Sequence, residues 1–293
     1  MVKTLVVIPA RYGSSRFPGK PLAKIAGKEM LLRVVDIAQK GTKGIDARIV
    51  VATEDERIMN FCKLHDIECM MTSDQCKTGS DRVCETVKKL GIHPELIINL
   101  QGDNPVCPPW FIKELIKSFE KDTSVDLVTP CTRLSWDALD KLRESKKTTP
   151  FSGTTCVVDK NGRALWFSKN IIPAIRKEKD MREESDMSPI LRHIGLYGYK
   201  YDSLFKFKEL EESPCEKLEG LEQLRFLEND MKIKVALVDY GAYEGMSGVD
   251  SPEDVKRAEA LFAKYGEFKE LSDDDTNYYS TTREHVYEGS DAA

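Results

Sequence analysis

The chain has 293 residues, 41% hydrophobic and 32% charged, the balance of a globular protein with length for one large domain or a domain plus an appendage. The net charge of −5 is concentrated at the C-terminus, where residues 270–293 carry seven acids against Arg283, so the near-neutral remainder gives no reason to expect nucleic-acid binding. No run of 18 apolar residues occurs and the apolar start is too short for a signal peptide, so a cytoplasmic protein without a membrane segment is expected.

Strand and helix patterns alternate from the first residues. "TLVVIPA" (4–10) reads as a strand and "EMLLRVVDIAQK" (29–40) has helical spacing. "ARIVVAT" (47–53), "IECMM" (67–71), "ELIINL" (95–100) and "VDLVTPCT" (125–132) are further strands, separated by helices at 55–65, 80–91 and 108–119. Near-continuous apolar strands between amphipathic helices predict an α/β fold, with a doubly wound, mostly parallel sheet covered on both faces. After residue 130 the rhythm changes. "TTCVVD", "NGRALWFS" and "RHIGLYGYKY" are β-like without full helices between them, and "RKEKDMREESDMS" reads as a charged loop. These residues, 131–200, are expected to form a small antiparallel insert in an α/β domain built from 1–130 and 201–268. That domain closes with a helix at 216–230, a strand at 232–240 and a helix at 252–265. Residues 269–293 lack apolar periodicity and are expected to be a disordered acidic tail.

Chemistry-bearing residues gather in loops after strands, where open α/β sheets bind ligands. The first, "ARYGSSRFPGKP", is close to a P-loop but is not one: five residues separate Gly13 from Gly19, and Pro21 stands where a metal-holding hydroxyl would follow Lys20. Arg11, Arg16 and Lys20 supply cations, and Gly13, Ser14, Ser15 and Gly19 supply close-approach backbone and donors, a set suited to polyphosphate. Asp103 in "QGDNP" and Asp250 in "GVDSPED" could each be an ordinary turn or capping acid. Beside a phosphate loop, they are also what a magnesium ion takes as ligands. The eight cysteines form no CxxC pair and are expected to be reduced thiols.

The stretches "IPARYGSSRFPGKPL", "VATEDE", "MTSDQCKTGSDR", "NLQGDNP", "ALWFSKNIIP", "RHIGLYGY", "LEGLEQLRFLE" and "GVDSPEDV" together resemble the 3-deoxy-manno-octulosonate (Kdo) cytidylyltransferases, in that family's order over about residues 4–262. The resemblance implies activation of an acidic sugar with CTP to give a CMP-sugar and pyrophosphate, for lipopolysaccharide or capsule synthesis. It implies that Arg11, Ser14, Arg16 and Lys20 grip the CTP phosphates, that Gly79, Arg82 and Gln101 lie by the nucleotide, and that Asp103 and Asp250 ligate Mg2+. Lys20, Arg16 and Asp103 are the implied catalytic residues. Lys169, Arg176, His193, Tyr197, Glu222 and Gln223 are the implied sugar contacts, and a homodimer through the 131–200 insert is implied as well.

Three positions depart from the family pattern. Lys169 replaces an Arg, Thr155 replaces a basic residue, and Asn104 replaces a Glu. Lys keeps the charge of Arg but loses its bidentate fork. The acceptor is therefore open at this level between Kdo, a modified Kdo, a nonulosonic acid and a phosphonate. A CTP-binding protein without catalysis is the alternative from another class.

Overall fold

The structure, a computed structural model, describes residues 2–13, 16–246 and 248–268. Ser14 and the acidic tail expected at 269–293 lie outside the described residues. Strand β1 (Thr4–Pro9) buries Leu5 and Val7 in the core on one face of the sheet and Val6 and Ile8 in the core on the other. A strand buried on both faces has no polar side, which is why its sequence is an unbroken apolar run.

A short turn of 3-10 helix at Lys20–Leu22 and a two-stranded ribbon of β2 (Lys24–Ile25) and β3 (Lys28–Glu29) lead into α1 (Met30–Gly41). The chain then alternates through β4 (Ala47–Thr53), α2 (Glu56–Leu64), β5 (Cys69–Met71), α3 (Gly79–Leu90), β6 (Leu96–Asn99) and α4 (Pro109–Lys121). Local chemistry sets the helix ends. Thr78 and Asp81 form a reciprocal capping box at the start of α3, and Gly91 ends it at a left-handed φ of 62°.

β7 (Leu127–Ser135) is followed by α5 (Trp136–Thr148), β8 (Thr155–Val158), β9 (Ala164–Ser168), α6 (Glu178–Glu184), β10 (Met187–His193) and β11 (Tyr197–Lys200). The chain closes with α7 (Tyr201–Glu209), α8 (Pro214–Glu219), α9 (Leu224–Glu228), β12 (Ile233–Leu237) and α10 (Pro252–Tyr265). The fold corrects three local expectations. The stretch after residue 130 does contain a full helix, α5: Ser135 caps it by accepting the Ala138 N–H at 3.2 Å, and it buries only Trp136, Leu139 and Leu142 among its 13 residues. The charged segment read as a loop forms α6, which buries nothing and is held by Arg143 and Arg182 around Glu178. The single helix expected at 216–230 is broken into α8 and α9 by Gly220, whose φ is 62°.

Among the described residues the sheet has ten strands in the order β5-β4-β1-β6-β11-β7-β10-β8-β9, with β12 pairing to β7. β5, β4, β1 and β6 are parallel, as the sequence predicts, and β11, β10, β8 and β9 bring the antiparallel part. The long β7 serves both parts: Leu127–Cys131 pairs in parallel with β12, while Cys131–Ser135 pairs antiparallel with β10. β6 and β7 flank the reversed β11, so β1, β4, β6 and β12 all point the same way. Their carboxyl ends share one edge of the sheet. The loops that follow them meet there.

Candidate active site

The first loop is closed at its base. Ala10 N–H donates to Ala52 O at 2.8 Å, and Gly19 N–H donates to Tyr12 O at 2.9 Å, across the cation-bearing turn. Gly19 has φ 72°, and a Cβ there would stand 3.0 Å from the Tyr12 ring, so the close takes a glycine. Arg11 Nη2 donates to Lys77 O at 2.6 Å, which ties the loop to the residues that begin α3.

The second loop leaves β6 and presses against the end of β1. A Cβ on Gly102 would lie 2.5 Å from Pro9 O, closer than any side chain allows. This contact is what seats the neighbouring Asp103 beside the first loop. The third loop is joined to the second by the Val249 N–H donating to Asp103 O at 2.7 Å. It ends where Ser251 and Asp254 form the capping box of α10.

These closures bring side chains from three loops together. Lys20 Nζ lies 2.7 Å from Asp103 Oδ2 and 2.9 Å from Asp250 Oδ1, and Arg16 Nη2 lies 3.3 Å from Asp250 Oδ2. Burial pulls the Lys20 pKa down, but the charges and hydrogen bonds of the two aspartates outweigh it and raise it above the usual lysine value. The two aspartates thus favour the charged ammonium. The two carboxylates converge on this ammonium, and no group of three His, Cys, Asp or Glu able to hold a metal occurs among the described residues, so a hard divalent ion held by this pair would have to draw its remaining ligands from phosphate oxygens and water.

Two of the expected nucleotide residues, Gly79 and Gln101, lie against each other. Gly79 opens α3, and a Cβ there would touch the Gln101 amide at 3.4 Å; Gln101 Nε2 donates to Asn99 Oδ1 at 3.2 Å. Arg82 lies beneath the loops, its side chain 1% exposed, donating to Thr72 Oγ1 and standing 2.9 Å from Glu54 Oε2.

Most of the expected sugar residues form a second group on β9, β10, β11 and the α8–α9 corner. The His193 ring lies 5.1 Å from that of Phe167 and 5.6 Å from that of Tyr197. Its Nε2 shares a 2.9 Å hydrogen bond with Thr129 Oγ1. Burial, with the nearby Lys169 ammonium, pushes the imidazole down to about 3, so it is neutral throughout the working pH range. Tyr197 Oη donates to Gln223 Oε1 at 3.4 Å, and burial raises its pKa. Gln223 Nε2 is buried without a hydrogen-bond partner among the described residues, a donor of the kind a hydroxylated ligand satisfies. Ser80 links the groups from α3, donating to Glu222 and sharing a 3.1 Å hydrogen bond with Tyr199; burial raises the Glu222 carboxyl. Lys169 Nζ donates to Thr154 Oγ1 at 3.2 Å, and burial lowers its pKa. Arg176 lies exposed in the turn before α6 and makes no hydrogen bond or ion pair with Lys169, His193 or Tyr197.

Thr155, one of the departures from the family pattern, has a structural use. Its hydroxyl donates to Asn170 O at 2.7 Å and accepts from the Ile172 N–H at 3.0 Å, so it holds the chain that follows Lys169. Glu54, Tyr12, Ser80 and Thr129 join the site without being named by sequence pattern. Glu54 carries the clearest signal of the four, as an acid directly after a buried strand in the "VATEDE" stretch. All eight cysteines are free.

A family model described as Cytidylyltransferase matches residues 5–233. The chain is 44% identical over 266 residues to the 3-deoxy-manno-octulosonate cytidylyltransferase of Maricaulis maris, spanning 91% of this chain and 99% of that one. It is 38% identical over 256 residues to the enzyme of the same name from Zea mays, spanning 87% and 79% of the two chains. A solved CMP:2-keto-3-deoxy-manno-octonic acid synthetase complexed with CTP superposes with a TM-score of 0.76 at 33% identity, covering 89% of this chain and 99% of that one.

Proposed function

Because the chain belongs to the 3-deoxy-manno-octulosonate cytidylyltransferases, we infer that it joins the CMP unit of CTP to Kdo, giving CMP-Kdo and pyrophosphate. The acceptor hydroxyl oxygen attacks the α-phosphorus, the bond from that phosphorus to the bridging oxygen of the β-phosphate breaks, and the hydroxyl proton leaves to solvent. No protein nucleophile takes part, so the cysteines need no role.

The chain's own residues position the reactants and neutralise charge, which is how phosphate-transfer sites obtain most of their rate. Arg11 and Arg16 hold the triphosphate, with Ser14 assigned there by the family pattern alone. Lys20 and Arg16 face the charge that grows on the departing pyrophosphate. Gly79 leaves room for Gln101 beside the nucleotide. Neutral His193 and Tyr197, with Gln223, offer hydrogen bonds to sugar hydroxyls, and Lys169 answers the carboxylate, with Glu222 and Arg176 assigned to the sugar side by the family pattern. Asp103 and Asp250 would hold a magnesium ion, which when bound supplies further neutralisation of phosphate charge.

The single observation that carries this reading is the meeting of Lys20, Asp103 and Asp250 from three loops. The wider setting proposed is a cytoplasmic homodimer that feeds lipopolysaccharide synthesis. In support, no described helix is long and apolar enough to cross a membrane, and Phe151 and Leu165 of the 131–200 region are 70% and 59% exposed, as a dimer face would be. A panel of acidic sugars and phosphonates incubated with CTP and magnesium, scored for pyrophosphate, tests the acceptor. Kdo is expected to be turned over fastest, and a clear preference for a phosphonate or nonulosonic acid would overturn the assignment.

A further inference from the structure

An acid beside a triphosphate cradle is unfavourable unless something neutralises it. Glu54 is such an acid. It follows β4 directly, it is only 17% exposed at its side chain, and its two oxygens face different ways. Oε1 accepts the backbone N–H of Tyr12 at 3.2 Å. Oε2 stands 2.9 Å from Arg82 Nη2, a close charge contact without the alignment of a hydrogen bond. Arg82 in turn donates to Thr72 Oγ1, and Thr72 Oγ1 donates to Thr53 O at 3.1 Å, so Arg82 is tied to the end of the strand that Glu54 follows.

Tyr12 is the residue on which the first loop turns. Its carbonyl accepts the Gly19 N–H at 2.9 Å, its ring packs where a Gly19 side chain would be, and the Arg57 guanidinium lies 3.3 Å from the ring centre. Arg57 is held in that place by Asp55 through contacts of 2.9 and 2.6 Å. Three features of residues 54–57 therefore grip one residue: a carboxylate on its N–H, a cation on its ring, and an acid that orients the cation. Arg11 precedes Tyr12, and Lys20 follows the Gly19 that closes on it.

We propose that Glu54 is a positioning residue that fixes the phosphate-gripping loop through the Tyr12 N–H, with buried Arg82 neutralising it so that its charge does not oppose the triphosphate. This rests on the reading of residues 11–20 as the CTP phosphate cradle. Glu54 acts through the loop and touches no reacting atom. Its loss should therefore weaken the CTP side of the reaction and leave the acceptor side alone.

The test compares Glu54→Gln and Glu54→Asp with the unaltered enzyme, by pyrophosphate release at varied CTP and varied Kdo and by calorimetric binding of CTP. Glu54→Gln removes the charge opposite Arg82 while keeping the size. Its KM and Kd for CTP should rise about tenfold with KM for Kdo unchanged within about twofold, and Glu54→Asp, which keeps the charge, should fall between it and the unaltered enzyme. A merely structural role lowers the amount of active enzyme and moves neither constant. Unchanged CTP constants in both variants, or tighter CTP binding as though the freed Arg82 served the nucleotide directly, overturns the proposal. Should Glu54→Gln fail to fold, the same comparison on Glu54→Asp decides. CTP binding by calorimetry decides independently of the acceptor, so an enzyme that proves inactive with Kdo contradicts the acceptor and not the role of Glu54.

Discussion

Lys20 Nζ touches Asp103 at 2.7 Å and Asp250 at 2.9 Å, although 230 residues separate Lys20 from Asp250 along the chain. The ammonium draws the two carboxylates together at the edge of the sheet where the three loops meet.

Asp103→Asn keeps the shape of the side chain and removes the charge. Turnover with magnesium is expected to fall at least about 100-fold while CTP still binds, as measured by steady-state pyrophosphate release and calorimetry. Near-normal turnover in this variant would refute the metal assignment.

Lys20→Ala leaves two carboxylates facing each other without their cation. If Lys20 meets charge that develops on pyrophosphate, kcat falls by about 100-fold, beyond any rise in KM for CTP. A change in KM alone would make the loop a binding device only.

Lys169→Met deletes the ammonium that replaces the family's arginine. If the residue answers the sugar carboxylate, KM for Kdo should rise at least about tenfold and KM for CTP should not move. Equal effects on both substrates would remove Lys169 from the sugar side.

His193 is half-buried among Phe167, Thr129 and Tyr197, with Lys169 as the nearby cation, and loss of solvent around the ring pushes its pKa from 6.5 to about 3. In the unfolded chain the ring takes up a proton near its ordinary value, so the unfolded state binds more protons below that point. Stability is thus fully present above about pH 6.5 and is lost as pH falls towards 3, by up to about 1.4 kcal/mol per pH unit. Two-dimensional NMR of the folded protein should show no protonation of this ring between pH 5 and 8, and His193→Gln should flatten the loss of stability just below pH 6.5. A ring that titrates near 6.5 contradicts the burial argument.

Gly102→Ala places a methyl 2.5 Å from the Pro9 carbonyl, and backbone cannot yield as a flexible side chain would. The loop must shift, carrying Asp103 with it. We expect a loss of about 1–3 kcal/mol in chemical unfolding and a larger proportional loss in turnover. Full activity would show that Asp103 tolerates displacement.

The parallel half of the sheet is legible in the sequence because β1, β4 and β6 are buried on both faces and their apolar runs are broken by clear helical spacing. α5 escapes such a reading because three buried side chains in 13 residues give a weak stripe, although Ser135 marks its start. α6 leaves no apolar pattern at all, since ion pairs on an exposed surface hold it. In the site, Lys20, Asp103 and Asp250 can be named from residue type and position after strands, yet their meeting depends on Gly102 against Pro9 and Val249 on Asp103, which no local pattern records. Arg82 is the converse case. The family resemblance places it by the nucleotide, and the fold buries its side chain against Glu54 and Thr72.

The most direct measurement is phosphorus NMR on one sample holding the protein, CTP, Kdo and magnesium. We predict that the CTP α-phosphorus is converted into a phosphodiester to the sugar while pyrophosphate appears in a one-to-one ratio. Release of orthophosphate, transfer of the terminal phosphate, or persistence of intact CTP beside Kdo would contradict it.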